Sequence, residues 1–272
     1  MKLSLTTWSF PLCTLPECVA VARALGIGAL DVGYFYRSSL DKMRLLREPE
    51  QYAAEVTKIT GSLANLYHLF GSSLADRNLA GGAGVTENLR DFDAALRFCR
   101  EAGIASIFVL PGVVNAGQSR TDALQVSAER LNRMQERAVA AGIILTIEPH
   151  VHSYLESPSL VLELLDRVPG LRLTLDYAHF HCLGFTQEEI DGLAPYAAHV
   201  HLRQAKVGSL QSRLEHGTLN FSAILGTLRQ TGYSGFLSIE YVHQDYMDTF
   251  HVDVLSETVK MRDLVQGWLG NA

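Results

Sequence analysis

Side chains that can hold a metal ion close four successive apolar runs in the second half of the chain. These side chains are Glu148, Asp176, His201 and Glu240. Three carboxylates and one imidazole form a mostly hard ligand set, unlike a zinc site built from thiolates. We therefore expect one divalent metal ion, Mn²⁺ in the first place, with Mg²⁺, Co²⁺ and Zn²⁺ as alternatives. An ion bound there would act as a Lewis acid.

Eight short apolar runs are the strands that would have to position these ligands. The runs are rich in Leu, Ile and Val, as parallel strands covered by helices should be. The predicted strands span residues 3–10, 28–34, 62–71, 106–112, 143–150, 171–179, 197–204 and 235–242.

Segments with helical periodicity lie between the strands, and several of them end in glycine. The clearest helical segments span residues 15–25, 87–102, 128–141 and 221–231. The glycines are Gly26, Gly103, Gly142 and Gly232. Glycine takes the left-handed conformation that ends a helix without a Cβ clash. Ser157, followed by Pro158, and Asn220 are predicted to begin the helices after the fifth and seventh strands.

Alternating strands and helices of this kind close most simply into a single (β/α)8 TIM barrel, an α/β fold spanning residues 1–272. The length agrees, because eight strand–helix units would have about 34 residues each. A doubly wound open sheet is the alternative. The first strand, however, ends T-T-W-S-F-P and lacks the glycine-rich phosphate loop of that fold.

In such a barrel the carboxyl ends of the strands surround one site, so the four metal-capable side chains should converge on the barrel axis. The residues two places before them are all polar. These residues are Thr146, Thr174, His199 and Ser238. Because side chains alternate along a strand, they would form a polar layer on the same inward face. That layer favours one shared metal site over four unrelated caps, ion pairs or buried histidines.

Other side chains at the predicted mouth of the barrel could contact a substrate. His68 ends the third strand on the face of Leu66, which we assign to the interior; a buried structural histidine is the alternative. His150 follows a metal-capable residue in a loop, where functional residues concentrate. Trp8 could form an apolar wall for a sugar ring, or pack in the core.

The sequence resembles the xylose isomerase-like TIM barrels, a superfamily of sugar phosphate isomerases and epimerases, over essentially its whole length. The resemblance is carried by I-E-P-H-V-H at 147–152, Asp176 and His179 in D-x-x-H, H-V-H at 199–201, and G-F-L-S-I-E-Y at 235–241. The stretch E-H-G-T-L-N-F at 215–221 is also similar to the Gly-acidic-Gly loop that precedes the last helix pair in the family.

The resemblance implies a divalent ion on the four residues named above and a role in proton transfer for two of them. Glu148 and Glu240 would be the catalytic pair, one removing the hydrogen beside a carbonyl and the other returning a proton through a metal-stabilised enediolate. Such chemistry needs an acid and a base on either side of the substrate. The resemblance further implies that His179 contacts a substrate hydroxyl and that Arg213 contacts the far end of the substrate.

Some residues depart from the family pattern and leave the substrate open. Strand seven continues R-Q-A-K where many relatives carry Lys-Asp, so Arg203 and Lys206 alter the local charge. Asn220 stands where Asp is frequent.

Other functions on the same scaffold remain as alternatives. A lyase or dehydratase of keto-inositol or dehydroshikimate type would form the same enolate but expel a β-hydroxyl group. An abasic-site endonuclease is disfavoured because strand four ends F-V-L-P-G without the histidine that a three-zinc cluster needs. A non-catalytic sugar-binding barrel would have no need of two bases around a metal.

Composition excludes some partners. The chain is 47% hydrophobic and has a formal net charge of −6 without any basic run, so we expect no nucleic-acid partner. The four cysteines form no C-x-x-C pair, which favours reduced thiols. We find neither a signal peptide nor a membrane helix and expect a cytoplasmic protein that binds a small molecule. A homo-oligomer is compatible with the sequence.

Overall fold

The strands form a closed parallel barrel in chain order. The computed structural model describes residues 1–34, 39–243, 249 and 252–270. The strands are β1 Lys2–Thr6, β2 Leu30–Gly33, β3 Leu63–Tyr67, β4 Ser106–Val109, β5 Ile144–Ile147, β6 Arg172–Asp176, β7 Ala197–Leu202 and β8 Phe236–Ile239. The last strand pairs with the first, Ser4 opposite Ser238, which closes the ring. The predicted TIM barrel is confirmed, and the open sheet is excluded.

Helices surround the barrel. In the described ranges they are α1 Leu15–Ala24, α2 Lys42–Arg47, α3 Pro49–Thr60, α4 Val85–Ala102, α5 Arg120–Ala141, α6 Pro158–Arg167, α7 Tyr177–His181, α8 Gln187–Asp191, α9 Phe221–Gln230 and α10 Val254–Gly270. Short 3₁₀ turns span Thr7–Ser9 and Ala194–Tyr196. None of these helices combines the length and the apolar character needed to cross a bilayer.

Every predicted strand overlaps an observed one, but each observed strand stops earlier at its carboxyl end. The predicted strand at 171–179, for example, ends at Asp176, whose Oδ1 accepts a hydrogen bond from the backbone N–H of Ala178 and caps α7. His179 therefore lies on a helical turn rather than on the strand. Glu148 and Glu240 likewise follow their strands, whereas Asp176 and His201 lie on β6 and β7.

The predicted helix ends are confirmed. The glycines after α1, α4, α5 and α9 have φ values between 69° and 78°. They are Gly26, Gly103, Gly142 and Gly232. Ser157 accepts a hydrogen bond from the N–H of Leu160 at the start of α6, and Asn220 does the same for Ala223 at the start of α9. These caps fix where each helix releases the chain to the next strand.

We predict opposite effects on stability for two Gly-to-Ala substitutions. Gly142→Ala should lower the free energy of unfolding by about 1 kcal/mol, because φ is 72° there although no atom would meet the new Cβ within 4 Å. Gly226→Ala, inside α9 and equally free of contacts, should raise it by up to about 1 kcal/mol. Urea unfolding of both variants measures this difference, and equal shifts in both would contradict the explanation.

Candidate active site

A cavity of about 350 Å³ opens where the strands end. Part of its wall is apolar and includes Trp8, Tyr67 and Leu110. The polar side chains of the wall are Ser73, Glu148, His150, His152, His179, Arg203 and Glu240. A small cavity with a few converging polar groups is typical of a site for a small molecule.

Two glutamates flank one histidine at the bottom of this cavity. Nδ1 of His201 lies 2.6 Å from Oε1 of Glu148 and 3.1 Å from Oε2 of Glu240. All three residues are buried, and their potential ligand atoms lie within 4.8 Å of one another. The structure therefore brings together three of the four metal ligands predicted from the sequence.

The fourth predicted ligand, Asp176, is buried but falls outside this group of three. Its Oδ2 instead lies 2.7 Å from Nη2 of Arg203, the residue that follows β7. The same Nη2 lies 3.5 Å from Oε2 of Glu240. Arg203 thus connects Asp176 to the group of three, a role that the sequence indicated only as a change of local charge.

A third carboxylate, that of Asp31, lies on the far side of His201. Oδ2 of Asp31, on β2, lies 2.6 Å from Nε2 of His199 and 3.5 Å from Nε2 of His201. With Nε2 turned to Asp31, Nδ1 is the nitrogen that faces the two glutamates. Sequence reasoning missed Asp31, although a lone acidic residue in the apolar strand A-L-D-V is a signal for a buried polar partner.

The predicted polar layer lies beneath the site. All four of its residues are buried, and the hydroxyl oxygens of Thr146 and Thr174 lie 2.8 Å apart. His199 belongs to the same layer through its bond to Asp31. These contacts agree with the inward alternation predicted for strands five, six and seven.

The surroundings push the pKa values of the two glutamates apart. Burial raises the pKa of Glu148 to about 7, against the opposing charge of His201. Burial also acts to raise the pKa of Glu240, but the charges of His201 and Arg203 outweigh it and hold this pKa at about 2. Burial acts to lower the pKa of His201, whereas the charges of Glu240 and Glu148 raise it well above its usual range. Two carboxyl groups tuned apart in this way suit a proton donor and a proton acceptor.

Trp8 fixes the orientation of Glu240. The residue lies in the 3₁₀ turn after β1, and its indole Nε1 donates a hydrogen bond to Oε1 of Glu240 at 2.6 Å. Its ring also packs at 5.9 Å from the ring of His201. Trp8 therefore combines the apolar wall expected from the sequence with a polar contact that the sequence did not predict.

Two histidines predicted to contact the substrate lie side by side in the cavity wall. The ring centroids of His150 and His179 are 4.1 Å apart. Burial lowers the pKa of His150 to about 4 and that of His179 well below its usual value. Both rings are therefore neutral near pH 7.

His68 does not line the cavity. Its Nδ1 contacts the hydroxyl of Tyr34, and its ring packs against Phe70 and Phe92. The neighbours of His68 along the chain, Tyr67 and Leu69, line the cavity instead. The inward facing assigned to His68 is thus wrong, because the helix-facing side of a parallel strand is as apolar as an inward side. The placement agrees with the alternative of a buried structural histidine.

Arg213 also lies outside the cavity. The side chain is exposed, in the connection between β7 and α9, and is absent from the cavity wall. The contact with the far end of the substrate that the resemblance implies for Arg213 thus has no support from the lining of the cavity and stays a prediction. The basic residue that does line the cavity is Arg203.

Known proteins resemble the chain over most of its length. The family model described as xylose isomerase-like TIM barrel matches residues 19–263. A putative hydroxypyruvate isomerase of Danio rerio is 25% identical over 254 residues, which cover 88% of each chain. A 2-oxo-tetronate isomerase of Haemophilus influenzae is 27% identical over 190 residues, covering 64% of this chain and 71% of that protein. A solved structure of the IOLI protein with a binding zinc atom superposes with a TM-score of 0.75 at 17% identity and covers 98% of this chain and 99% of that one.

A divalent ion such as Mn²⁺ bound by His201 and its two flanking glutamates would be held about 10- to 100-fold more weakly in Asp31→Asn, because the amide orients His201 less firmly than the carboxylate does. Titration of the metal-free protein with Mn²⁺, followed by calorimetry, measures the change. Asp166→Asn, on the exposed face of α6, is the matched control and should leave the affinity unchanged. An unchanged affinity in a folded Asp31→Asn variant would refute the orienting role.

Proposed function

This chain belongs to the xylose isomerase-like TIM barrel family, and on that premise we propose that it is a divalent-metal-dependent isomerase or epimerase of a small sugar or related hydroxycarbonyl compound. The observation that carries the proposal is the pair Glu148 and Glu240 on either side of His201 at the bottom of the cavity. The named relatives, a hydroxypyruvate isomerase and a 2-oxo-tetronate isomerase, support the reaction class.

The residues at the bottom of the cavity fit a divalent ion. Glu148, His201 and Glu240 would hold it, with Asp176 as the fourth ligand, and we propose Mn²⁺ ahead of Mg²⁺, Co²⁺ and Zn²⁺ for this set. Oε2 of Glu240 and Oδ2 of Asp176 are buried and make ion pairs but accept no hydrogen bond from the described residues. Buried carboxylate oxygens of this kind are suited to a cation. A divalent ion bound there would polarise the substrate carbonyl and stabilise the charge that develops on its oxygen.

The two glutamates have different roles in the proton transfer. Glu240 is ionised and can take the proton beside the carbonyl, while the indole of Trp8 fixes its orientation through Oε1. Glu148 is the more basic of the two carboxyl groups, since burial raises its pKa to about 7, and it can deliver a proton to the substrate. The burial of both carboxyl groups excludes bulk water from the path of the proton.

The wall of the cavity orients the substrate. The neutral rings of His150 and His179 offer hydrogen bonds to hydroxyl groups, and Trp8 offers an apolar face. A neutral imidazole both donates and accepts, which suits a polyhydroxylated ligand.

Glu148→Gln and Glu240→Gln should each lower kcat by about 10²- to 10⁴-fold, because each removes one of the two groups that carry the proton. Glu129→Gln, at an exposed position of α5, should leave kcat unchanged. Steady-state kinetics with a panel of ketoses and short hydroxycarbonyl compounds measure the loss of kcat. Wild-type turnover in Glu240→Gln would refute the two-base assignment.

Turnover in D₂O should place solvent deuterium in the recovered isomer, because the delivered proton comes from a carboxyl group that exchanges with solvent. Mass spectrometry and ultraviolet absorbance of the products measure this. An enone absorbance without deuterium in the recovered isomer would favour the dehydratase alternative instead.

The affinity for Mn²⁺ should rise with pH between about 5.5 and 8, because His201 and Glu148 both lose protons when they become ligands. The pKa of His201 is raised well above its usual range and that of Glu148 to about 7, so protons compete with the ion below those values. Calorimetry in two buffers of different ionisation enthalpy counts the released protons, and Glu148→Gln should release fewer. An affinity that is flat across this pH range would contradict the assignment.

A further inference from the structure

One buried cation faces the cavity beside the proposed catalytic pair. Arg203 is 5% exposed and is the only lysine or arginine among the described residues that line the cavity. It directly follows β7, the strand of His201, so the barrel holds its backbone firmly. A buried guanidinium is costly unless its donors are satisfied.

The ion pair with Asp176 satisfies only part of this guanidinium. Its contacts to Asp176, His179 and Glu240 all involve Nη2, at 2.7, 2.8 and 3.5 Å respectively. Nε is buried and has no hydrogen-bond partner among the residues that the structure describes. Arginine presents five N–H donors in a planar fork, so most of its capacity remains for another acceptor.

The contact between Arg203 and His179 brings two donors together in one tautomer of the ring. The backbone N–H of Val151 points at Nδ1 of His179 at 3.3 Å, and in the tautomer that accepts this hydrogen bond a neutral ring carries its proton on Nε2. Nε2 lies 2.8 Å from Nη2 of Arg203, which has only protons to offer. In that tautomer the two donors share one acceptor of the protein, Oδ2 of Asp176, which lies 2.7 Å from Nη2 and 3.8 Å from Nε2. A further acceptor between Nη2 and Nε2 would satisfy both donors.

We propose that Arg203, with Nε2 of His179, binds a carboxylate group of the substrate. The inference rests on the proposed function and narrows it to short hydroxy-oxo acids. A planar guanidinium matches a carboxylate with two parallel hydrogen bonds. A phosphate dianion is disfavoured, because one guanidinium would face two negative charges in a wall that also contains Glu148 and Glu240.

Equilibrium binding of non-reacting ligands tests the inference without turnover. D-glycerate carries the carboxylate, whereas glycerol is its neutral counterpart and glycerol 3-phosphate its phosphorylated one. In Mn²⁺-supplemented protein, Arg203→Gln should weaken glycerate binding by about 30- to 100-fold and change glycerol binding by less than about threefold. Arg203→Lys, which keeps the charge but loses the fork, should fall between the two. Arg133→Gln, at an exposed position of α5, should bind like the wild type.

Other outcomes would overturn the inference. If Arg203→Gln lost glycerate and glycerol binding equally, or lost bound Mn²⁺, Arg203 would only stabilise Asp176 and would not bind the carboxylate. If Arg203→Gln weakened the binding of glycerol 3-phosphate and not that of glycerate, Arg203 would bind a phosphate ester instead.

Turnover separates this inference from the proposed function. The wild type should isomerise hydroxypyruvate with a kcat/KM at least about tenfold above that for dihydroxyacetone, its neutral analogue, and Arg203→Gln should remove this preference. Isomerisation of neutral ketoses without binding of glycerate would refute the carboxylate site and leave the proposed function intact. Glycerate bound through Arg203 without isomerisation of any substrate would refute the proposed function and leave the carboxylate site intact.

Discussion

The burial of like charges at the carboxyl end of the barrel determines how the neighbouring side chains are arranged. Asp31, Glu148, Asp176 and Glu240 are all buried, although a buried carboxylate is stable only when cations or donors surround it. His201 lies among Asp31, Glu148 and Glu240, and Arg203 lies against Asp176. Few positive charges therefore balance many negative ones. The remaining negative charge is the physical reason for proposing a divalent cation at this position.

The barrel can hold such a cluster because the two faces of each strand lie in different surroundings. Aliphatic side chains on the outward faces pack against the helices in one continuous core, which supplies the stability. The inward faces are then free to carry polar layers, such as the Thr146–Thr174 pair beneath the carboxylates. Closure between β8 and β1 leaves the barrel without an exposed edge, so the polar interior stays away from bulk solvent.

Periodicity and strand ends were sufficient to predict the barrel, its glycine helix ends and three residues that meet at the bottom of the cavity, because these follow from local rules of geometry. His68 was misplaced because alternation gives two faces without saying which is inside. Arg213 was assigned by resemblance, yet it lies in a long connection whose course no periodicity determines. Asp31 was missed because its partner His199 lies 168 residues away, a contact that only the closed barrel creates.

The same closure explains why the two glutamates are unequal. Glu240 follows β8, the strand that pairs with β1. Trp8, in the turn after β1, therefore bonds one oxygen of Glu240, while Arg203 lies near the other. Glu148 follows β5, far from the junction of β8 and β1. His201 balances its charge, but burial favours the neutral carboxyl group and raises its pKa. A difference in acidity between two chemically identical groups thus follows from where each strand stands in the ring. An acid and a base on opposite sides of one substrate require that difference.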